Sequence, residues 1–208
     1  MENWIIRIRP RGYLDNNGFV TRTKAWARQY RQGDALDLAK YINTSAKSIT
    51  SITGELKWDY GRGLCTLNAP KAQGVTGFLK KAGTVKLGDV TIGSGNDYAT
   101  VLVVAMDDQP LRTSAKVLVQ VGTTERPAGW KTRPAKVGGQ DGEQIVDFGK
   151  APWLIVEGDV TVTIRNESLK TAIVLDPNGM PVKRIPLAEA AGGKTLKFPP
   201  DALYVVLE

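Results

Sequence analysis

The side chains able to do chemistry are few, and their types exclude more than they suggest. The 208 residues contain no histidine and one cysteine, Cys65. That removes the Ser-His-Asp triad, the Cys-His dyad, the histidine-ligated zinc site and any intrachain disulfide. Carboxylates remain. Glycoside hydrolysis needs two of them facing each other across a cleft at ~5–9 Å. Asp107 and Asp108 adjoin at the end of a strand pattern. Neighbours on a strand point to opposite faces, so this pair reads as turn residues. Asp59 with Asp107 has the right residue types, but nothing in the spacing selects it. Asp15/Asn17 and Asn96/Asp97 offer oxygens that would suit a structural calcium, without EF-hand spacing. No other metal or cofactor is expected. Ala188–Thr195 resembles a phosphate-binding loop but lacks its first glycine. A strand pattern follows where a helix should, so Gly192-Gly193 reads as a hairpin turn. Cys65 lies inside a predicted strand without a base and reads as a small buried hydrophobe. No catalytic residue is assigned.

What is left is recognition. Sugar rings present apolar C–H faces that flat aromatic platforms bind, while polar groups take the hydroxyls. The tryptophans are Trp4, Trp26, Trp58, Trp130 and Trp153. Trp58 alternates with Leu56 and Tyr60 on one strand face. Trp130 sits in a Gly- and Pro-rich stretch and is the best exposed platform. Trp153, after Pro152, is expected in the core. Arg126, Lys131 and Arg133 flank Trp130, which points to an acidic sugar whose binding weakens with salt. The candidate carbohydrate-binding residues are therefore Trp130, Trp58, Tyr60, Arg126, Lys131 and Arg133.

The elements that must position them are mostly strands. Residues 1–12 read as extended, and Ala25–Ile42 has helical spacing split by Gly33-Asp34. From residue 46 short β-rich runs alternate with turns. Glu55–Tyr60 and Leu64–Asn68 flank Gly61-Arg62-Gly63 as a hairpin. Thr84–Leu87 and Val90–Ile92 bracket Gly88-Asp89 as a second. Tyr98–Met106 is nearly continuous apolar sequence and reads as a central strand. In Ala115–Val121, Val117, Val119 and Val121 face one way and Leu118 and Gln120 the other. Residues 122–142 carry five glycines and two prolines and read as a long functional loop. Strand patterns resume from Gln144 to Leu207. About a dozen short strands with regular turns predict a sandwich or barrel.

Net charge is +7, and residues 1–50 alone carry +5. Such a basic segment can bind phosphate, anionic polysaccharide or an acidic domain, or be a solvated face. The interleaved aromatic and glycine pattern of common RNA modules is missing, so nucleic acid is not the expected partner. No run approaches ~18 apolar residues, so no membrane-spanning helix is expected. Trp4-Ile5-Ile6 is too short for a signal peptide core. The chain is expected either outside the cell or at its surface as part of a longer secreted chain, or in the cytoplasm if complete. Asn43-Thr44-Ser45 and Asn166-Glu167-Ser168 are glycosylation sequons.

Three blocks carry a more specific likeness. Ser51–Asp59 (SITGELKWD) followed by Gly63–Phe78 (GLCTLNAPKAQGVTGF) resembles a segment of accessory β-sandwich domains appended to bacterial multidomain glycoside hydrolases. Tyr98–Leu118 is similar to their "strand, Leu-Asp-Gly-x-Pro-Leu, x-x-Ser, strand" pattern, with Met106 and Asp108 replacing the leucine and glycine. Ala172–Gly179 and Leu203-Tyr204 fit the closing strands. The resemblance spans residues 46–208 and implies a module that packs on a catalytic (β/α)8 barrel or contacts polysaccharide. It carries over no catalytic carboxylate.

The resulting expectation is an all-β, antiparallel, jelly-roll-like β-sandwich. Residues 1–45 form a basic segment with one or two short helices. Residues 46–208 form the sandwich, with a long loop at 122–142. The expected partners are a polysaccharide or oligosaccharide and an adjacent catalytic domain. The alternative is a protein-interaction module that binds no sugar, and its mark would be a sticky face near residues 1–45.

Overall fold

The structure, a computed structural model, describes residues 38–208. The predicted helices lie outside these residues apart from their last positions, where Ala39–Tyr41 forms a 3-10 turn. The arginines before residue 38, Trp4, Trp26 and the Asp15/Asn17 candidate also lie outside.

The fold is an all-β sandwich. One layer is a ten-stranded antiparallel sheet. Its first five strands in space are β1 (Ile42–Asn43), β2 (Ser48–Thr50), β3 (Leu56–Asp59), β4 (Leu64–Asn68) and β5 (Ala72–Gly77). Then come β8 (Ala99–Ala105), β9 (Val117–Thr123), β19 (Tyr204–Leu207), β15 (Thr171–Leu175) and β16 (Pro181–Pro186). The other layer runs β17 (Ala188–Ala190), β18 (Gly193–Lys197), β14 (Val160–Ile164), β7 (Val90–Ser94) and β6 (Val85–Lys86). A four-residue helix, α1 (Leu79–Ala82), follows β5.

Period-two alternation builds the core. Val101 and Val103 of β8, Val117 and Val119 of β9 and Val205 of β19 point inward and are fully buried. They meet Val90 and Ile92 of β7 and Val160, Val162 and Ile164 of β14 in one cluster. Leu79, Leu111, Leu169 and Phe198 complete that cluster. Each such side chain contributes ~1.5–3 kcal/mol relative to exposure. Polar side chains are buried as well, Ser114 and Asn166 most deeply among the described residues. Asn166 is 2% exposed, and its Nδ2 donates to the carbonyls of Leu111 and Ser114, both at 2.8 Å. Its Oδ1 accepts from the Ser168 hydroxyl at 2.6 Å and the Ser168 N–H at 3.1 Å.

The expected loop at 122–142 is instead strand. Between β9 and β14 the chain forms an arm of two ribbons. β10 (Glu125–Ala128) pairs with β13 (Lys150–Ile155), and β11 (Lys131–Val137) pairs with β12 (Gln140–Asp147). Its prolines and glycines suit this form. Pro127 and Pro134 sit in ribbons whose outer edges need no N–H donor. Gly138 and Gly139 have φ of 56° and 81° and close a two-residue hairpin between Val137 and Gln140. β12 and β13 are exposed along their whole length. Trp153, expected in the core, is therefore 62% exposed on β13, because a two-stranded ribbon has no second layer to bury it.

Candidate functional site

The six sugar-binding candidates fall into two groups. The first is on the arm. Trp130 is half-buried at the junction of its two ribbons. The Arg126 guanidinium lies 5.3 Å from the centroid of its ring, and Phe148 packs edge-on at 5.8 Å. The ring thus acts as an anchor for its own neighbours, with one face held by a cation. Lys131 and Arg133 both lie on β11, and Arg133 Nε donates to Gln144 Oε1 at 2.9 Å. Arg126 meets Trp130 as the sequence suggests. A ring face open for a sugar is the feature that the arm does not offer on that side.

The second group is on the ten-stranded sheet. Trp58 of β3 and Tyr60 beyond it pack at 5.7 Å with planes 61° apart. Two further rings join the same end of the sheet. Phe78 follows β5 and Tyr98 precedes β8, and the register pairs Gly77 with Ala99. The two rings are therefore brought edge to face at 5.5 Å. All four rings are 39–52% exposed. Glycines fix this arrangement. A Cβ on Gly63, which has φ of 67°, would stand 2.6 Å from Phe78 Cδ2. A Cβ on Gly77, with φ of 138°, would strike the Gly63 carbonyl oxygen at 2.0 Å. Only glycine at both lets the Phe78 ring lie along the β4–β5 backbone.

Tyr60 and Phe78 wall an open depression of about 630 Å³. Arg62, Lys80, Lys81 and Asp97 also line it. Its floor is tied down. The Lys80 N–H donates to the Asn96 carbonyl at 3.0 Å. Asn96 in turn donates from Nδ2 to the Glu157 carbonyl at 2.8 Å and accepts the Asp159 N–H at 2.7 Å. Both ends of the Asn96 amide are thus spent on protein, and Asp97 pairs with Lys80 at 3.4 Å. The oxygens proposed for calcium at this position have a structural occupation instead. Arg62 pairs with Asp59 at 2.7 Å, and Lys81 makes no ion pair among the described residues.

The chain matches no family model, no curated protein and no solved structure.

The carboxylates do not assemble a hydrolytic pair from Asp59 and Asp107. Asp59 lies in register with Leu64, Gly77 and Ala99, at one end of the sheet. Asp107 is eight residues further along, past the opposite end of β8. At ~3.3 Å per residue the separation is roughly 25 Å, far beyond the ~5–9 Å required. Each has a local task. Hydrogen bonding from the Arg62 side chain and then its N–H holds the Asp59 carboxyl below its usual value. For Asp107, desolvation pushes upward, but hydrogen bonds from Ser114, Ala115 and Gln109 outweigh it and lower the value. Those bonds fold the turn between β8 and β9. Among the described residues no group of three or more Cys, Asp or Glu could hold a metal ion.

A third surface is the outer face of the ten-stranded sheet. Thr100, Leu102 and Val104 of β8 point away from the core, opposite Gly122, Gln120 and Leu118 of β9. The rows continue into Tyr204 of β19 and then into Val206 of β19 and Ile173 of β15, which are buried at 5% and 7% exposed. On the other side they reach Leu67 and Cys65 of β4, and Leu56 and Trp58 of β3. Cys65 is thus half-buried on this outer face rather than in the core. Periodicity hid this face, because a strand apolar on both sides has no alternation to read.

Proposed function

We propose that the chain is a non-catalytic β-sandwich module of the kind appended to extracellular bacterial glycoside hydrolases. Its role is to pack the outer face of its ten-stranded sheet against a neighbouring catalytic domain. The observation that carries this reading is the apolar character of that face. An antiparallel sheet with one side in water alternates apolar and polar residues. Here Leu56, Leu67, Leu102, Val104 and Leu118 break that alternation on the side away from the core, Leu56 exposed and the others part-buried. Contiguous apolar surface of this kind marks an interface. The likeness of residues 46–208 to such accessory domains supports the same role.

The test uses the isolated chain. It is expected to enhance the fluorescence of a hydrophobic dye and to self-associate at micromolar concentration. Leu102→Lys with Leu118→Lys should abolish both while unfolding stays cooperative. A monomeric chain that binds no dye when folded would refute the docking role.

A second reading, contact with polysaccharide, is favoured by a separate observation. Four exposed aromatic rings gather at one end of the sheet, and two of them, Tyr60 and Phe78, wall an open depression. Retention of the chain on a polysaccharide gel, lost in Phe78→Ala, is the result expected of it.

A further inference from the structure

We infer that the depression between Tyr60 and Phe78 is a binding site for an acidic sugar, a uronic-acid-bearing oligosaccharide. The inference rests on the polysaccharide reading and adds the ligand's charge and the residues that select it. Three features carry it. The walls are aromatic and half-exposed, which suits the C–H face of a sugar ring. The volume, about 630 Å³, falls in the range of small-molecule sites, ~300–1,000 Å³. The polar groups are of two kinds. Arg62, Lys80 and Lys81 donate, and Asp97 accepts.

The pairing of these charges points to a carboxylate. Arg62 pairs with Asp59 and Lys80 with Asp97, while Lys81 beside them has no ion pair among the described residues. The site therefore holds one cation in excess after its own carboxylates are matched. A uronic acid supplies the missing anion through its carboxylate. Its hydroxyls can donate to Asp97 and to the Tyr60 hydroxyl. Each wall is backed by a second ring, Tyr60 by Trp58 and Phe78 by Tyr98, edge to face at 61° and 80°. The backbone around the site is tied: the Lys80 N–H of α1 donates to the Asn96 carbonyl, and Gly63 leaves room for the Phe78 ring against β4.

The experiment is affinity electrophoresis of the full chain through gels containing polygalacturonate, a neutral mannan, or no polymer. A short oligo(dT) is run as a competitor. Phe78→Ala and Lys81→Glu are compared with Lys183→Glu. That control makes the same charge change on β16, at the far edge of the sheet. Phe78 and Lys81 are exposed, so both variants are expected to fold. The expected result is retardation by polygalacturonate that falls roughly tenfold in Phe78→Ala. It should fall about fivefold in Lys81→Glu at low salt and stay near wild type in Lys183→Glu. Equal losses in Lys81→Glu and Lys183→Glu would mean that net charge alone attracts the polymer, overturning the inference. Retardation by mannan, lost in Phe78→Ala and unchanged in Lys81→Glu, would leave sugar contact standing and overturn the acidic ligand. No retardation by either polymer would overturn both. Displacement by oligo(dT) at lower concentration than by galacturonate trimer would transfer the site to nucleic acid.

Discussion

Replacing Asn166 by Asp changes one NH₂ group to oxygen and keeps the shape. In the wild type that NH₂ donates to the Leu111 and Ser114 carbonyls at 2.8 Å, in a residue 2% exposed. The variant loses both bonds and leaves two buried carbonyls facing a third oxygen. A buried acceptor left unmatched costs about 1–3 kcal/mol. Two such losses, with the added repulsion, give about 3–5 kcal/mol at pH 7. For a chain of this size ~1 kcal/mol corresponds to ~2–4 °C, so Tm should fall by roughly 6–20 °C. The pH dependence has a definite sign. Burial and the facing carbonyls raise the folded pKa of the new carboxyl above its unfolded value of ~3.9. Protonated, it regains one O–H donor. The deficit is therefore smallest below about pH 4 and grows as pH rises through the folded pKa. Urea unfolding at pH 4 and pH 7, followed by far-UV circular dichroism, measures it. An unfolding free energy within about 0.5 kcal/mol of wild type at pH 7, or a deficit that grows on acidification, would refute the account of Asn166 as the polar tie to the Leu111 and Ser114 carbonyls.

Three further outcomes are expected. Phe198→Ala removes the largest fully buried side chain and should cost ~3–5 kcal/mol in urea unfolding. Gly193→Ala drives a Cβ to 2.0 Å from the Ile164 carbonyl oxygen, whereas Gly93→Ala on β7 meets nothing within 4 Å. The first should lose roughly 2 kcal/mol or more, and the second should stay within about 0.5 kcal/mol of wild type. Asp107→Asn removes a carboxyl whose folded pKa lies below its ordinary value. Its stabilisation is present above the unfolded pKa and lost as pH falls through the folded one. Urea midpoints of variant and wild type should therefore differ at pH 7 and converge at the acid end.

The sandwich strands are legible in the sequence where one face is buried. Val117, Val119 and Val121 alternate with Leu118 and Gln120, and the valines are the ones in the core. Gly61-Arg62-Gly63 and Gly88-Asp89 mark the hairpins they appear to mark in the sequence because each joins strands adjacent in the chain. The arm is not legible. Its ribbons bury no face, so they impose no alternation, and the glycines and prolines dominate the reading. Trp58 and Tyr60 could be placed together from spacing alone. Phe78 and Tyr98 could not, because their meeting depends on the non-local pairing of β5 with β8. The sequon at Asn166 illustrates the same limit. Its motif suggests a surface acceptor, yet its amide is spent inside the protein.

The root of the arm has a consequence for how such a chain diverges. The Thr123 hydroxyl donates to the Val156 carbonyl, and the Val156 N–H donates to the Thr124 carbonyl at 3.0 Å. Departure and return are thus knotted at one point, and everything from Glu125 to Ile155 hangs beyond that knot. Insertions or deletions out there alter reach without moving either layer. The appendage can be lengthened, retuned or exchanged as a cassette during evolution while the sandwich beneath it stays under its own selection.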